Sequence, residues 1–139
     1  MIRLRGYRIG EEFGVDARHD FWRDFRCKGW VLPVGPKLTL AGPDDAPLGV
    51  AGFQRVGDRQ WCAWAFLAEL APRDWLRAAR KARTCVRWAA ALLDGGAEIY
   101  AVPADTIEAR RLLAWIGFRP SPDADGPWKF VEALGGEAA

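Results

Sequence analysis

The chain has few of the residues from which metal sites and covalent nucleophile pairs are built. It contains three cysteines and one histidine in 139 residues. Cys27, Cys62 and Cys85 are far apart, and none belongs to a Cys-x-x-Cys pair, so neither a zinc site nor a disulfide framework is predicted. Such cysteine usage fits a reducing compartment, and we expect a cytoplasmic protein without a bound metal.

Long apolar runs are also missing. No stretch of about 18 consecutive apolar residues occurs, so the sequence predicts no helix that spans a membrane. Residues 1–5 include two arginines and lack the apolar core of a signal peptide. The formal net charge of +2 is too small to indicate a nucleic-acid partner by itself. We therefore expect neither a membrane nor a nucleic acid as partner.

Apolar and aromatic residues are abundant instead. Half of the residues are hydrophobic, which suffices for one core in a chain of single-domain length. Eight of the residues are tryptophans. Because tryptophan buries a large apolar area, we expect most of them to fill the core or to line a cleft.

The order of strands and helices predicts a mixed α/β (α+β) domain. Turn signals and apolar alternation predict strands over residues 2–9, 37–41, 48–56, 60–70, 98–102 and 128–132, with a tight hairpin turn at 57–59. Helices are predicted over residues 16–26, 72–93 and 106–116. This order favours a single domain over residues 1–139, in which helices flank a mostly antiparallel mixed sheet and residues 135–139 form a frayed tail.

The helix predicted over residues 72–93 has two distinct faces. Pro72 fits its first turn and Gly95-Gly96 ends it. One stripe is mostly apolar, and the other is basic. The apolar stripe is Leu76, Ala79, Arg83, Val86, Ala90 and Leu93, and the basic stripe is Arg73, Arg77, Arg80, Lys81 and Arg87.

Two short motifs carry a family resemblance. Leu70-Ala71-Pro72 stands between a strand and the long basic helix, and Ile116-Gly117-Phe118 ends the short helix. Together with the order of elements over residues 48–134, they resemble the acetyl-CoA-binding half of the GNAT superfamily of N-acetyltransferases. The resemblance implies a single GNAT-like domain, with residues 1–47 on the acceptor side and 48–134 on the CoA side. It also implies transfer of an acetyl group from acetyl-CoA, as a substrate, to an amine of a small molecule or a protein.

The resemblance also implies site residues on the strand before the long helix. The backbone of Leu67, Ala68 and Leu70 would pair with the amides of pantetheine, as an added strand would. Glu69 stands where these enzymes often place a general base for the amine. A solvent-facing glutamate, or one paired with an arginine, is the alternative reading of Glu69.

The phosphate-binding turn departs from the family pattern. The family turn reads Arg/Gln-x-x-Gly-x-Gly/Ala, whereas Ala78 and Arg80 stand in place of its two glycines. Glycine lets a backbone approach phosphate closely, so we expect the guanidinium groups of Arg73, Arg77 and Arg80 to take over this contact. A solvated basic face is the alternative. Thr106 stands where the family has an asparagine at the start of the short helix.

A second departure concerns proton donation. The family tyrosine that often protonates the departing CoA thiolate falls on Leu113, which cannot donate a proton. The missing glycines and tyrosine leave a catalytically inactive GNAT-fold binding or assembly protein as the alternative function. The altered motifs resemble a divergent subgroup of GNAT-like proteins encoded by phages. His19, the one histidine, is either part of a nucleophile pair or an exposed helix residue. Contact of the basic helix with nucleic acid is a weaker third hypothesis.

Overall fold

A computed structural model of the chain describes residues 2–15, 33–68, 70–103, 107–123 and 126–131. Within them lies a seven-stranded sheet of order β1-β2-β3-β4-β5-β7-β6. The strands are β1 Arg3–Gly6, β2 Lys37–Ala41, β3 Pro47–Gly57, β4 Gln60–Leu67, β5 Glu98–Ala101, β6 Phe118–Arg119 and β7 Trp128–Phe130. The helices are α1 Pro72–Leu92 and α2 Ile107–Ile116, with 3-10 turns at Glu11–Gly14 and Leu93–Gly95.

The sheet is mixed, as predicted. β4 and β5 run parallel, whereas β1–β2, β2–β3, β5–β7 and β6–β7 pair antiparallel. The chain divides into two compact units, one from Met1–Gln54 and Trp64–Ala78 and the other from Arg55–Ala63 and Ala79–Ala139. Whether they act as one domain stays a prediction.

The first unit has an aliphatic face and a polar-lined face. Leu4 pairs with Leu40, whereas Arg5 pairs with Thr39 and Thr39 with Val50, so alternation sends the two sets to opposite faces. The aliphatic face is covered by the start of α1 and contains Ile2, Leu4, Leu40, Leu48, Leu67, Leu70 and Ala78. On the polar-lined face, Tyr7, Trp64 and Ala68 pack against the buried Val15 and Val50.

The second unit is built around β5. Ile99 and Phe118 are each 1% exposed, and the ring of Phe118 meets that of Phe130 edge-on at 5.7 Å. The turn between β3 and β4 is fixed by polar contacts at the end of α1: the indole of Trp61 donates to Asp94 at 2.9 Å, and Arg55 pairs with Asp94 at 3.0 Å. These contacts hold the start of β4 beside β5.

Several boundaries differ from the prediction. β2 is confirmed at residues 37–41, but β4 ends at Leu67 and not at residue 70, because the chain leaves the sheet to begin α1 at Pro72. The hairpin turn lies within the predicted residues 57–59, at Asp58-Arg59, with Arg59 at φ 57°. Phe118–Arg119 forms a separate strand that was not predicted. The predicted helix over residues 16–26 and the tail lie outside the described residues.

The buried face of α1 was predicted wrongly in part. Leu76 is 46% exposed, whereas the alanines Ala78 and Ala89 are buried together with Ala79 and Val86. Short alanine side chains therefore occupy three of these four buried positions of α1. Two tryptophans do not fill the core, since Trp88 is 67% and Trp115 42% exposed.

We predict that Gly52→Ala destabilises the protein. A Cβ at this position in β3 would lie 2.6 Å from the carbonyl oxygen of Pro36 and 2.8 Å from the ring of Trp64. Because backbone cannot yield as a flexible side chain does, we expect a loss of about 1–3 kcal/mol in the free energy of unfolding, measured by urea denaturation. Gly6→Ala is the matched control, since a Cβ there meets nothing within 4 Å. Equal stabilities of the two variants would contradict the prediction.

Candidate active site

The end of β4 offers an open backbone edge. The parallel register with β5 covers Gln60–Cys62 against Glu98–Tyr100, and residues 63–67 of β4 lie beyond it. On the opposite edge β4 neighbours β3, and just past the strand the N–H of Ala68 donates to the carbonyl of Leu48 at 2.8 Å. In the described part of the chain, the β5-facing edge of residues 63–67 therefore has no strand partner.

The start of α1 follows directly. The N–H of Trp75 bonds to the carbonyl of Ala71 at 2.9 Å. The N–H groups of Arg73 and Asp74 lie in the first turn, where N–H groups have no partner within the helix. These N–H groups and the positive end of the helix dipole attract anions. Asp74 is an acidic side chain in the same turn and reduces this attraction.

Three arginines follow along one face of α1. Arg73, Arg77 and Arg80 are spaced by four and three residues, which places them in one row on the helix surface. Arg73 and Arg80 are exposed and Arg77 is half-buried. Among the residues that the structure describes, no carboxylate pairs with any of the three. Their guanidinium groups are therefore available to an anionic ligand.

This part of α1 has no glycine whose backbone could bind phosphate closely. Ala78 stands in place of the first glycine of the family turn and is buried, packed with Ile2 and Leu40. Its N–H lies inside α1, where helical hydrogen bonding occupies such groups. Phosphate contact by side chains of arginine is thus the remaining option at the predicted positions.

Sequence reasoning missed a partly buried ion-pair network on the polar-lined face. Arg5 forms a two-bonded pair with Glu11 at 2.7 and 2.5 Å and reaches Asp45 at 2.8 Å. The fully buried Thr39 also donates to Glu11, at 3.0 Å. The hydrogen bond from Arg5 lowers the pKa of Glu11 to about 2, helped by the N–H of Arg8 and the hydroxyl of Thr39. No local motif signals the network, because its members are distant in sequence.

A second polar pair lies beside this network. The hydroxyl of Tyr7 donates to Glu12 and accepts from the N–H of Gly10 at 3.2 Å. Burial raises the pKa of Tyr7, and the hydrogen bond to Glu12 raises it further. Trp64 packs in the same cluster, and its buried indole N–H has no hydrogen-bond partner among the described residues.

The remaining predicted site residues have different outcomes. Glu69 and Thr106, with His19, lie outside the described residues, so their roles stay predictions. Leu67 and Leu70 pack on the aliphatic face, and Ala68 on the polar-lined one. Leu113 is half-buried in α2, and its carbonyl accepts the N–H of Gly117 at 3.1 Å.

Metal-binding clusters and membrane-spanning helices are both absent from the described residues. They contain no group of three or more histidine, cysteine, aspartate or glutamate residues placed to hold a metal ion. No helix within the same residues has the length and apolar character needed to cross a membrane.

Comparison with solved structures defines the fold. A GCN5-related N-acetyltransferase from Kribbella flavida superposes with a TM-score of 0.60 at 16% identity, covering 92% of this chain and 94% of the other. A GNAT-family acetyltransferase from Bacillus anthracis gives 0.59 at 12% identity, covering 92% and 90%. The ribosomal-protein-S5-alanine acetyltransferase of Vibrio fischeri gives 0.58 at 9% identity, with the same coverage. The chain therefore has the GNAT fold, and the predicted resemblance is confirmed at the level of fold.

Sequence comparison adds nothing to this likeness. No protein-family model matches the chain, and no curated protein matches it.

We predict that Glu11 controls stability in acid. Its folded pKa of about 2 lies below the ordinary 4.5, so the ionised carboxylate stabilises the fold above pH 4.5 and this contribution is lost as the pH falls toward 2. Glu11→Gln should lower the free energy of unfolding at pH 7 by about 1–3 kcal/mol and flatten its decline between pH 5 and 3.

Urea denaturation across this pH range measures the effect. Asp58→Asn is the control, because the Asp58 side chain is 97% exposed. If the free energy of unfolding falls between pH 5 and 3 as steeply in Glu11→Gln as in the unsubstituted protein, this role of Glu11 is ruled out.

Proposed function

We propose that this chain is an N-acetyltransferase that transfers an acetyl group from acetyl-CoA to an amine. The observation that carries the proposal is the open edge of β4 at residues 63–67, directly before a helix start, in a chain with the GNAT fold. Extended ligand chains bind such edges by main-chain hydrogen bonds. The pantetheine arm of CoA, which carries two amides, has the matching donors and acceptors.

The arginine row would hold the phosphates of CoA. Arg73 and Arg77 lie within the first two turns after Pro72, next to the unpaired N–H groups of the helix. Guanidinium groups bind phosphate oxygens through paired, charge-assisted hydrogen bonds. Arg80 extends the row by one turn. These side chains also offset the unfavourable charge of Asp74.

The chemistry would be direct attack of the amine on the thioester. Backbone N–H groups at the end of β4 would polarise the carbonyl oxygen, on which negative charge develops. Glu69, which follows Ala68, is proposed as the general base that accepts a proton from the amine. Thr106 is proposed to contact CoA from the start of the short helix. The acceptor would be an amine of a small molecule or of a protein.

A GNAT-fold binding protein without catalysis is the second candidate. The burial of Ala78 and the apolar Leu113 favour it, because both positions lack the groups that the family uses. Exposed Trp88 and Leu92, four residues apart on α1, are also compatible with a partner surface. Binding of acetyl-CoA separates the two candidates.

We predict that acetyl-CoA binds with micromolar affinity and that Arg73→Ala/Arg77→Ala weakens binding at least tenfold. The reason is the loss of charge-assisted hydrogen bonds to phosphate, each worth about 1.5–3 kcal/mol. Isothermal titration calorimetry measures the affinity. Arg87→Ala, on the same helix but several turns farther from its start, should bind like the unsubstituted protein. Absence of binding at millimolar acetyl-CoA would reject the enzyme and leave the binding protein.

We also predict that Glu69→Gln lowers kcat about a hundredfold or more without changing the affinity for acetyl-CoA, because only proton removal is lost. Release of free thiol from acetyl-CoA in a screen of amines measures turnover. An unchanged kcat would exclude Glu69 as the base.

A further inference from the structure

The chain has only two tyrosines that could replace the proton donor missing at Leu113. Tyr7 and Tyr100 both lie among the described residues. Tyr100 lies on β5 opposite Cys62, within the paired part of β4 and β5, and its hydroxyl donates to the exposed Glu98 at 2.5 Å. Its register position is therefore in the paired segment of β4, before residue 63.

Tyr7 is placed at the other end of β4. Tyr7, Trp64 and Ala68 all pack against the same buried pair, Val15 and Val50. Trp64 lies in the open segment of β4, and Ala68 follows its last residue. The tertiary packing thus places Tyr7 in one cluster with two residues of the stretch at which the thioester of acetyl-CoA is proposed to bind.

The surroundings of Tyr7 keep its hydroxyl protonated and oriented. Its hydroxyl donates to Glu12 and receives the N–H of Gly10. The charged groups that face it are Glu12, the nearby Glu11 and, at 6.0 Å from its ring centroid, the ammonium group of Lys37. Burial and the hydrogen bond to Glu12 both raise the pKa of Tyr7, so the phenol holds its proton at neutral pH.

An unpaired donor marks the same cluster. The indole N–H of Trp64 is shielded from solvent and has no partner within the described residues. Buried polar groups are nearly always paired, so an orphan donor needs an explanation. A ligand oxygen that reaches this cluster would supply the missing acceptor.

We infer that Tyr7 is the proton donor to the departing thiolate, positioned by Glu12, and this inference rests on the proposed acetyl transfer. The amine nitrogen attacks the carbonyl carbon and forms the C–N bond, and its proton passes to the base proposed at Glu69. The C–S bond breaks and sulfur leaves with the electron pair. The Tyr7 hydroxyl turns from Glu12 and gives its proton to sulfur. Solvent then reprotonates the phenolate and accepts the proton of the base.

Carbon NMR of the two tyrosines tests the placement of Tyr7. Protein labelled with ¹³C at the tyrosine ring carbon that bears the hydroxyl gives two signals, which Tyr100→Phe assigns. Adding acetyl-CoA should shift the Tyr7 signal and leave that of Tyr100 in place. An unmoved Tyr7 signal at acetyl-CoA concentrations that calorimetry shows to be saturating overturns the inference and leaves the proposed function intact. Absence of binding by calorimetry overturns both.

Kinetics tests the proton transfer itself, with hydroxylamine as the probe amine. Tyr7→Phe should lower kcat about a hundredfold while the Kd for acetyl-CoA changes less than twofold. Tyr100→Phe, the matched control, should change neither. Glu12→Gln should lower kcat less than Tyr7→Phe, because it disturbs only the orientation of the hydroxyl. A kcat within twofold of the unsubstituted protein in folded Tyr7→Phe overturns the inference, and if that variant does not fold, the NMR experiment decides.

Discussion

The fold and the candidate site both depend on the unequal hydrogen bonding of the two edges of β4. One edge lies beside β3 and is extended by the hydrogen bond from Ala68 to Leu48. Among the residues that the structure describes, the other edge pairs with β5 over Gln60–Cys62 alone. The first ladder orders the backbone, and the second leaves donors and acceptors available past the paired segment. An ordered strand with a free edge is what an extended amide-containing ligand requires. The rest of the candidate site is arranged around this edge.

The start of α1 at Pro72 limits how this chain could bind an anion. Because the helix begins at Pro72, Ala78 is a core contact and cannot serve as a flexible phosphate loop. In the proposed site, arginine side chains would take the place of backbone groups, and each would lose rotational freedom on binding. A pre-organised backbone avoids this cost, so an arginine-built site depends more on charge and more on salt concentration. At Ala78 the chain thus has a core contact where the family has a glycine that binds phosphate.

Stability and proposed chemistry share one set of residues on the polar-lined face. Glu11 fixes the 3-10 turn through Arg5, Thr39 and the N–H of Arg8. Glu12, its neighbour, points its carboxylate to Tyr7. Because the partly buried Arg5 holds Glu11, we expect the turn that orients the Tyr7 hydroxyl to be anchored at neutral pH and to loosen only in strong acid.

The sequence by itself determined the GNAT-like fold, the start of α1 and the order of the described elements apart from the strand Phe118–Arg119. It could do so because hydrophobic periodicity, glycine turns and Pro72 act over a few residues. It indicated the arginine row, because helical spacing alone places Arg73 and Arg77 together. It did not determine which face of α1 is buried, where β4 loses its partner, or that Tyr7 and Glu11 share a face with Trp64 and Val50. Those features come from strand register and packing between residues distant in the chain, which only the tertiary structure decided.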